Sequence, residues 1–578
     1  MSQNGPIRRL LLAAGWTVWL VALFVGVPLA WSGALARWFA FGLSARPYWP
    51  LMVLVLVAVV AALSRWLPWD ARPRLGAMSM ALVAGWCFVH SGCWVWQVSD
   101  LSAPGVVVIY LSTTISLACA AHLWLTKAAW PRCVKQLAFS LIPLLLSAAV
   151  VDCGGLDGNG RPIVGWRFES VVSAASLPVA EQRAKPHDLS PAIQQDFPAF
   201  RGDDGSGVVR GVKLRSGWSS HAPRLLWRRN IGKGWGGFAV AGGYAFTQEQ
   251  RDSEESVVCY QAATGHECWV HADPVCFTSA TVGDGPRATP AVRDGRVYSL
   301  GATGLLNCLD AKTGERYWSV DVLAEHHTGN LYHGLSGSPL VVGDLVVVSV
   351  GGSGRSLVAY DRHSGRPAWH AGDDPAGYGS PLVCTLGGRP QIMILTQAGL
   401  AAHDVSTGDV LWTFPWTNDT GTNCSQPLPL GDDRLFVSTG YGRGCALVRA
   451  QPTANGWSVE PLWTSRNLKT KFCSPVELDG FVYGLDEGVL VCVDLRDGSR
   501  RWRAGRYGHG QLLLVDDLLC VQCEAGQLAL VAADPTAHRE LARCDALAEK
   551  TWNYPALAGR LLLVRNDREA ICFELPAY

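Results

Sequence analysis

Two kinds of hydrophobic pattern divide the chain. Up to residue 151 the apolar residues form five continuous stretches without an internal Asp, Glu, Lys or Arg. A hydrocarbon core about 30 Å thick needs roughly 20 helical residues to be crossed. The pattern therefore predicts a domain of five transmembrane helices at 1–151, and because four stretches follow the first, we interpret that one as a retained helix rather than a cleaved leader. The stretches are residues 10–31, 49–63, 75–95, 106–125 and 137–151.

Positive charges gather in alternate loops of this block. Eight of the ten Lys and Arg lie before the first stretch, between the second and third, and between the fourth and fifth, whereas Arg37 and Arg46 lie between the first and second. The positive-inside rule places these loops in the cytoplasm, so the N-terminus is expected inside and everything after residue 151 in the periplasm, anchored to the inner membrane. Since charged residues within spans usually mark ion or proton paths, their absence argues against a transporter, and His90 and His122 are interpreted as packed between helices.

A second pattern, of short strands separated by turns, fills residues 223–578 after a connector predicted at 152–222. Five motifs such as CLDAKTGERYW at 308–318 recur at intervals of about 45 residues, or twice that where a copy has degenerated. In each, Gly precedes Trp by four, which is typical of a hairpin whose glycine adopts positive φ. Four short strands per repeat predict a propeller blade. We expect Trp to wedge between blades, and the predicted docking residues are Gly265, Trp269, Gly314, Trp318, Gly365, Trp369, Gly408, Trp412, Trp463, Gly498 and Trp502.

The two ends of this region are each incomplete. A single strand opens it at 223–230, and three strands close it after residue 553. Joined, they would form one composite blade and remove the free edges. With a degenerate copy ending at Trp463 and another ending at Leu541, the prediction is an all-β eight-bladed propeller; seven blades is the alternative if the Leu541 unit is not a blade.

Charge and cysteine content argue against two classes of function, nucleic-acid binding and metal binding. The formal net charge is +1, but residues 1–151 carry ten Lys and Arg against two acids, so the remainder is acidic overall, which argues against nucleic acid as a partner. No two of the 18 cysteines are adjacent, and most lie in apolar strands, as small core residues do. Cys520 and Cys523 would point to opposite faces of a strand, so no metal site is predicted.

The AxDxxTGxxxW hairpin resembles the repeat of pyrroloquinoline quinone (PQQ) enzymes and of the outer-membrane assembly factor BamB. Stretches such as GYGRGCALVR at 440–449 and KFCSPVELDGFVYGLDEG at 471–488 resemble uncharacterised bacterial PQQ-like repeat proteins. Five helices followed by such a propeller also resemble membrane-bound quinoprotein glucose dehydrogenase. That resemblance implies PQQ with calcium, but no residue is matched to the catalytic base or the calcium ligand. Related alcohol dehydrogenases have a vicinal disulfide over the cofactor, and no adjacent cysteine pair is present in this sequence.

Loops between successive blades carry polar and aromatic residues before a small-Pro step. Such loops are expected to meet on one side of the central channel and to form a funnel, where binding residues concentrate on rigid scaffolds. Lys469 and Lys471 are expected to face Asp373 and Asp374 across it. The candidate ligand-binding residues are Tyr332, His333, Asp373, Asp374, Tyr378, Asn423, Lys469, Lys471, His509, Trp552 and Asn553.

The leading hypothesis is a binding or scaffold module, without catalytic residues or a cofactor, that docks an envelope protein or a small molecule at the funnel. The membrane lipid is its other partner. The alternative is a PQQ-dependent membrane dehydrogenase that oxidises a sugar or alcohol and reduces quinone. No GxSxG, Walker or HExxH pattern favours a hydrolase or a nucleotide-binding protein.

Overall fold

Short apolar strands pair into successive antiparallel sheets along most of the chain. The computed structural model describes residues 151–158, 162–166, 195–279 and 282–578. The predicted transmembrane helices lie outside this range, except that Val151, the last residue of the predicted fifth helix, is the first residue of a strand. Within the described ranges, no helix is long and apolar enough to cross a membrane.

Four strands precede the first complete blade. Strand β1 (Val151–Leu156) pairs with β2 (Pro162–Trp166) in a sheet of their own, β3 is Val208–Val209, and β4 is Arg224–Asn230. Blade 1 contains β5 (Ala239–Ala241), β6 (Tyr244–Arg251), β7 (Glu254–Gln261) and β8 (Glu267–Asp273). Blade 2 contains β9 (Ala291–Arg293), β10 (Arg296–Leu300), β11 (Leu305–Asp310) and β12 (Arg316–Asp321), followed by helix α1 (Val322–Glu325).

The next three blades repeat this order from the channel outward. Blade 3 contains β13 (Leu340–Val342), β14 (Leu345–Ser349), β15 (Leu357–Asp361) and β16 (Pro367–Ala371). Blade 4 contains β17 (Leu382–Leu386), β18 (Arg389–Leu395), β19 (Gly399–Asp404) and β20 (Val410–Pro415). Blade 5 contains β21 (Leu428–Leu430), β22 (Arg434–Thr439), β23 (Gly444–Thr453) and β24 (Gly456–Ser465).

The last three blades close the ring. Blade 6 contains β25 (Val476–Leu478), β26 (Phe481–Asp486), β27 (Val489–Asp494) and β28 (Arg500–Arg506). Blade 7 contains β29 (Gln511–Val515), β30 (Leu518–Gln522), β31 (Gln527–Ala532) and β32 (Glu540–Asp545). Blade 8 contains β33 (Ala556–Ala558), β34 (Leu561–Arg565) and β35 (Glu569–Glu574), with β4 as its outer strand. The prediction of eight blades with a composite last blade is confirmed.

The motif tryptophans join neighbouring blades rather than parts of one blade. The Trp269 indole of blade 1 lies against Gly314 of blade 2, and its Nε1 donates to the carbonyl of Ala311 at 3.1 Å. The same contact recurs for five others: Trp318 to Arg362, Trp369 to Val405, Trp463 to Leu495, Trp502 to Asp534, and Trp227 to Ala262. Each indole therefore covers apolar area between two blades and satisfies a turn carbonyl.

Two of the eight docking positions depart from this rule, on the outer strands of blades 4 and 7. Blade 5 connects β23 and β24 by a long hairpin, and Trp412 of blade 4 donates instead to Gln391 within its own sheet, at 2.9 Å. In blade 8 no turn joins the third and outer strands, because β35 and β4 come from opposite ends of the propeller region. In blade 7 the position equivalent to Trp502 is Ala542, opposite Leu530, and not Leu541, which lies at the bulge beside it. The predicted alignment of that repeat was therefore one residue off.

Replacing Gly408 with alanine tests this docking. Gly408 has φ +77°, and a Cβ there would lie 2.4 Å from Cε3 of Trp369. Gly343 also has positive φ, +55°, but open space around it. We expect Gly408→Ala to lower the free energy of unfolding by about 2–4 kcal/mol, against about 1 kcal/mol for Gly343→Ala, because only the former displaces an indole. Urea unfolding of both variants measures the difference, and equal losses would contradict the docking role.

Part of the predicted connector packs onto the propeller. Phe197 is buried and bridges to Val240 of blade 1, while the buried Arg201 donates to the carbonyl of Pro475 ahead of blade 6. Strand β3 then adds to blade 7 in parallel with β29. The contacts of Phe197 and β3 lie where the inner strands lead into their first turns, whereas the Arg201 guanidinium extends to the start of an inner strand. Residues 195–209 therefore cover that end of the central channel, and the propeller unit begins before residue 223.

Candidate functional site

The loops that connect one blade to the next lie at the other end of the channel. Strands alternate in direction within a blade, so these loops share a face with the turns between second and third strands. We call this the funnel face. Its described residues include the loops 231–238, 274–279, 282–290, 326–339, 372–381, 416–427, 466–475, 507–510 and 546–555, and turns between second and third strands such as 440–443 and 523–526.

Four aromatic rings from different loops are in contact at the funnel face. Phe472 lies 5.7 Å from His509 and 5.1 Å from Trp552, measured between ring centroids. Trp552 in turn lies 5.2 Å from Trp235, which precedes blade 1. This row, the aromatic wall, gathers residues from four loops that are far apart in the sequence.

Two lysines flank the aromatic wall. The Lys550 ammonium lies 4.4 Å from the Trp552 centroid and 4.7 Å from that of Trp235. That of Lys471 lies 5.0 Å from Tyr441 and 6.0 Å from Phe472. Ammonium groups over aromatic faces gain roughly 0.5–2 kcal/mol. Burial lowers the pKa of Lys550, because the charged form is the costlier one to desolvate.

Glu524 is the carboxylate of this group. It lies in the turn between β30 and β31 and is half-buried. The His509 amide and the Trp552 Nε1 each donate to it at 2.8 Å. Its position is therefore fixed by the aromatic wall on one side and by the loop after β28 on the other.

A second cluster lies on the loops after blades 2 and 3. His333 lies 4.7 Å from Tyr332 and 5.4 Å from Tyr378, measured between ring centroids. Burial, with the nearby positive Arg287, lowers the pKa of His333 to about 4. Burial also raises the pKa of Tyr378 to about 12 and that of Glu255 to about 7. The cluster thus holds a neutral imidazole at His333 and a neutral phenol at Tyr378 at pH 7.

This imidazole predicts a pH dependence. The unfolded chain takes up a proton at His333 near pH 6.5, whereas the folded chain does so only near 4. The unfolded state therefore binds more protons between those values, and stability falls as pH is lowered from about 6.5 to 4. We expect His333→Gln to lose less stability than the wild type on acidification, by roughly 1–2 kcal/mol after allowing for partial exposure. Urea unfolding at pH 7 and 4.5 measures this, and parallel losses in both proteins would contradict it.

Several predicted site residues have structural partners instead. Lys469 pairs with Asp486 at 2.5 Å, and so it does not face Asp373 or Asp374 as expected. Asp373 accepts hydrogen bonds from the turn at Ser353 and Gly354, and Asp374 accepts one from Thr396.

Two predicted amides are also structural in their contacts. Asn423 is buried and donates to the carbonyls of Thr396 and Trp416. Asn553 is buried and donates to those of Gly234 and Gly236. The structure therefore brings six predicted residues to the two clusters: Tyr332, His333, Tyr378, Lys471, His509 and Trp552.

The sequence did not single out Trp235, Phe472, Tyr441, Glu524 or Arg287. Phe472 and Tyr441 lie within stretches already compared with PQQ-like proteins, but only the closed ring shows that they face the channel. Glu524 lies in a turn within blade 7, whereas the candidate residues were predicted in the loops between blades. In the part of the chain that the structure describes, no three His, Cys, Asp or Glu side chains meet as a metal site requires.

Comparison with known proteins supports the fold type. A family model described as outer membrane protein assembly factor BamB matches residues 253–504. The chain is 26% identical over 247 residues to BamB of Shewanella oneidensis, which covers 40% of this chain and 60% of that protein. It is 34% identical over 126 residues to the quinohemoprotein alcohol dehydrogenase ADH-IIG of Pseudomonas putida, covering 21% of this chain and 17% of that enzyme.

Among solved structures, BamB from Moraxella catarrhalis aligns with a TM-score of 0.46 and 17% identity, over 61% of this chain and all of that one. The chain matches less than two thirds of the length of each of the two sequence relatives named above. Its described part contains an eight-bladed β-propeller whose repeats are similar in sequence to those of BamB and of a quinohemoprotein alcohol dehydrogenase.

The funnel residues do not fit PQQ with calcium. Calcium takes six to eight oxygen ligands, usually including several carboxylates. Glu524 is the carboxylate of the aromatic wall, and its oxygens already accept hydrogen bonds from His509 and Trp552. No adjacent cysteine pair occurs anywhere in the sequence.

Proposed function

We propose that this chain is a membrane-anchored periplasmic protein whose propeller is a binding module without catalytic activity. The observation that carries the proposal is the convergence of the aromatic wall, Lys471, Lys550 and Glu524 on one end of the channel. Aromatic and cationic side chains on a rigid scaffold suit recognition of a protein partner. The similarity to BamB, whose name describes an assembly factor of the outer membrane, supports an envelope protein as that partner.

A site-specific photo-crosslinker tests partner binding. We expect a crosslinker at Tyr332, 62% exposed at the funnel face, to capture one discrete protein in intact membranes. A crosslinker at Tyr317, 52% exposed on the outer strand of blade 2, is the matched control. Adding Trp552→Ala should reduce the Tyr332 adduct several-fold. The same adducts at both positions, or an adduct insensitive to Trp552→Ala, would contradict binding at the funnel.

The anchoring is part of the proposal and rests on the five apolar stretches and the loop charges of residues 1–151. A periplasm-dependent reporter fused after Tyr578 should be active, and one fused within the loop at 64–74 should be inactive. An inactive reporter at Tyr578 would contradict the orientation.

A quinoprotein dehydrogenase is the second candidate, favoured by the 34% identity to a quinohemoprotein alcohol dehydrogenase over 126 residues. Membranes supplied with PQQ, calcium, a dye acceptor and a panel of sugars and alcohols distinguish the two. We expect no dye reduction beyond that of membranes lacking the protein. Reproducible, substrate-dependent reduction would establish the enzyme and contradict the proposal.

A further inference from the structure

A main-chain segment of the protein itself enters the funnel. In the connection that follows β1, the amide of Gly158 donates to Oε1 of Glu524 at 2.5 Å, and its carbonyl accepts from Nζ of Lys471 at 2.7 Å. Both backbone polar groups of one residue are thus bound by funnel side chains more than 300 positions away. Residues 155–158 group with the propeller as one compact unit.

The contact requires glycine. A Cβ at position 158 would lie 2.3 Å from Cδ2 of His509 and 2.5 Å from its Cβ. Real Cβ atoms do not come this close to ring or backbone-linked carbons, so any other residue would have to push His509 or the segment away.

The neighbouring Asp157 adds a negative charge close to His509. Burial and the positive Lys471 lower the pKa of His509 to about 4, while the Asp157 carboxylate acts in the opposite direction. The acidic residue therefore lies close enough to interact with the imidazole. An anion beside Lys471 is also favoured by simple Coulomb attraction.

We propose that the funnel is a receptor for a glycine-centred Asp-Gly peptide segment, and that Asp157–Gly158 of this chain occupies it as an intramolecular ligand. Glu524 accepts from the amide, Lys471 donates to the carbonyl, and His509 excludes a side chain at the central residue. The occupant of the funnel is then a segment of the chain itself. This inference rests on the proposed function only because both concern the same site. A partner that binds there has to displace the segment.

The tether sets the strength of this occupancy. A covalent tether gives an effective concentration that can reach the order of millimolar. A free peptide of the same sequence therefore competes poorly with the wild-type segment, but has access to the funnel once the segment is displaced. The affinity of the free peptide with and without the segment in place therefore measures how fully the segment occupies the funnel.

Hydrogen exchange of the full-length protein in detergent micelles tests the occupancy. We expect the amides of Asp157 and Gly158 to exchange roughly tenfold faster in Gly158→Val, Lys471→Met and Glu524→Gln than in the wild type, because a hydrogen bond or the close fit is lost. Gly329→Ala is the matched control, since Gly329 has ordinary φ and open space around it, and should leave exchange unchanged. Equally fast exchange in the wild type and all variants would overturn the proposal. Unfolding curves of each variant show whether the propeller remains intact.

A labelled peptide of sequence GLDGNGR supplies the second measurement. It should bind Gly158→Val at least tenfold more tightly than the wild type, and adding Lys471→Met to Gly158→Val should abolish binding. No binding to Gly158→Val, or binding that survives Lys471→Met, would overturn the receptor role. Crosslinking at Tyr332 reports separately on the proposed function: a partner adduct with no peptide binding would reject the intramolecular ligand while leaving partner capture at the funnel.

Discussion

Replacing Trp227 with alanine is expected to lower the free energy of unfolding by about 3–5 kcal/mol. It should also loosen the seam of the ring, the contact between blades 8 and 1 where the two ends of the propeller region meet. Trp227 lies on β4, the outer strand of blade 8, and is 5% exposed. Its indole lies against Gly265 of blade 1, and its Nε1 donates to the carbonyl of Ala262 at 2.8 Å. Truncation removes a large buried surface and leaves that carbonyl without its partner.

The seam makes this position different from its equivalents. β4 pairs with β35 by hydrogen bonds, but no hairpin connects the two strands. Trp269→Ala is the matched control because Trp269 makes the same contact between blades 1 and 2, where β8 is joined to β7 by its own turn. We expect hydrogen exchange in β4 to accelerate strongly in Trp227→Ala, whereas β8 in Trp269→Ala should accelerate less. Equal acceleration in the two strands would show that covalent continuity contributes little.

Replacing Arg565 with methionine should lower the free energy of unfolding by about 3–5 kcal/mol. Arg565, at the end of β34, is fully buried. Its guanidinium donates to the Thr247 hydroxyl and the Gln248 carbonyl of blade 1, at 2.7 and 2.8 Å, and to the carbonyl of Gly232 at 3.0 Å. Methionine fills a similar volume but leaves these buried acceptors unsatisfied.

Arg568 provides the matched control for this substitution. It lies three residues away on the same connection and forms an ion pair with Glu549 in which both side chains are over 40% exposed. Surface pairs of this kind contribute about 0–1 kcal/mol, so Arg568→Met should change stability by no more than about 0.5 kcal/mol. Urea unfolding of the two variants gives the comparison. A small loss for Arg565→Met would mean that water replaces the guanidinium in the seam.

Much of the propeller could be predicted because its signals are local. The Asp-to-Gly spacing of a turn such as 310–314 reflects side-chain acceptance by Asp310 and positive φ at Gly314, both of which depend on neighbouring residues. A one-residue error at Leu541 arose because the turn of this repeat is longer than in the other copies. Twelve positions separate Leu530 from its partner Ala542, against ten between Cys492 and Trp502.

The candidate site could be predicted only in part. Loop position gave Lys471, His509 and Trp552, since residues before an inner strand must reach the channel. The same reasoning selected Asn423 and Asn553, which are equally polar but donate hydrogen bonds to backbone carbonyls of the propeller. Composition does not distinguish a side chain that faces the channel from one that supports it.

By itself the sequence determined the repeat, the strand order of each blade and the joining of both ends in a last blade, because turn chemistry and alternating hydrophobicity act over a few residues. The tertiary structure decided which glycine each tryptophan contacts, which loop residues meet at the funnel, and that Gly158 enters it. Those contacts join positions such as Gly158 and Glu524, 366 residues apart, and only closure of the ring brings them within hydrogen-bond distance.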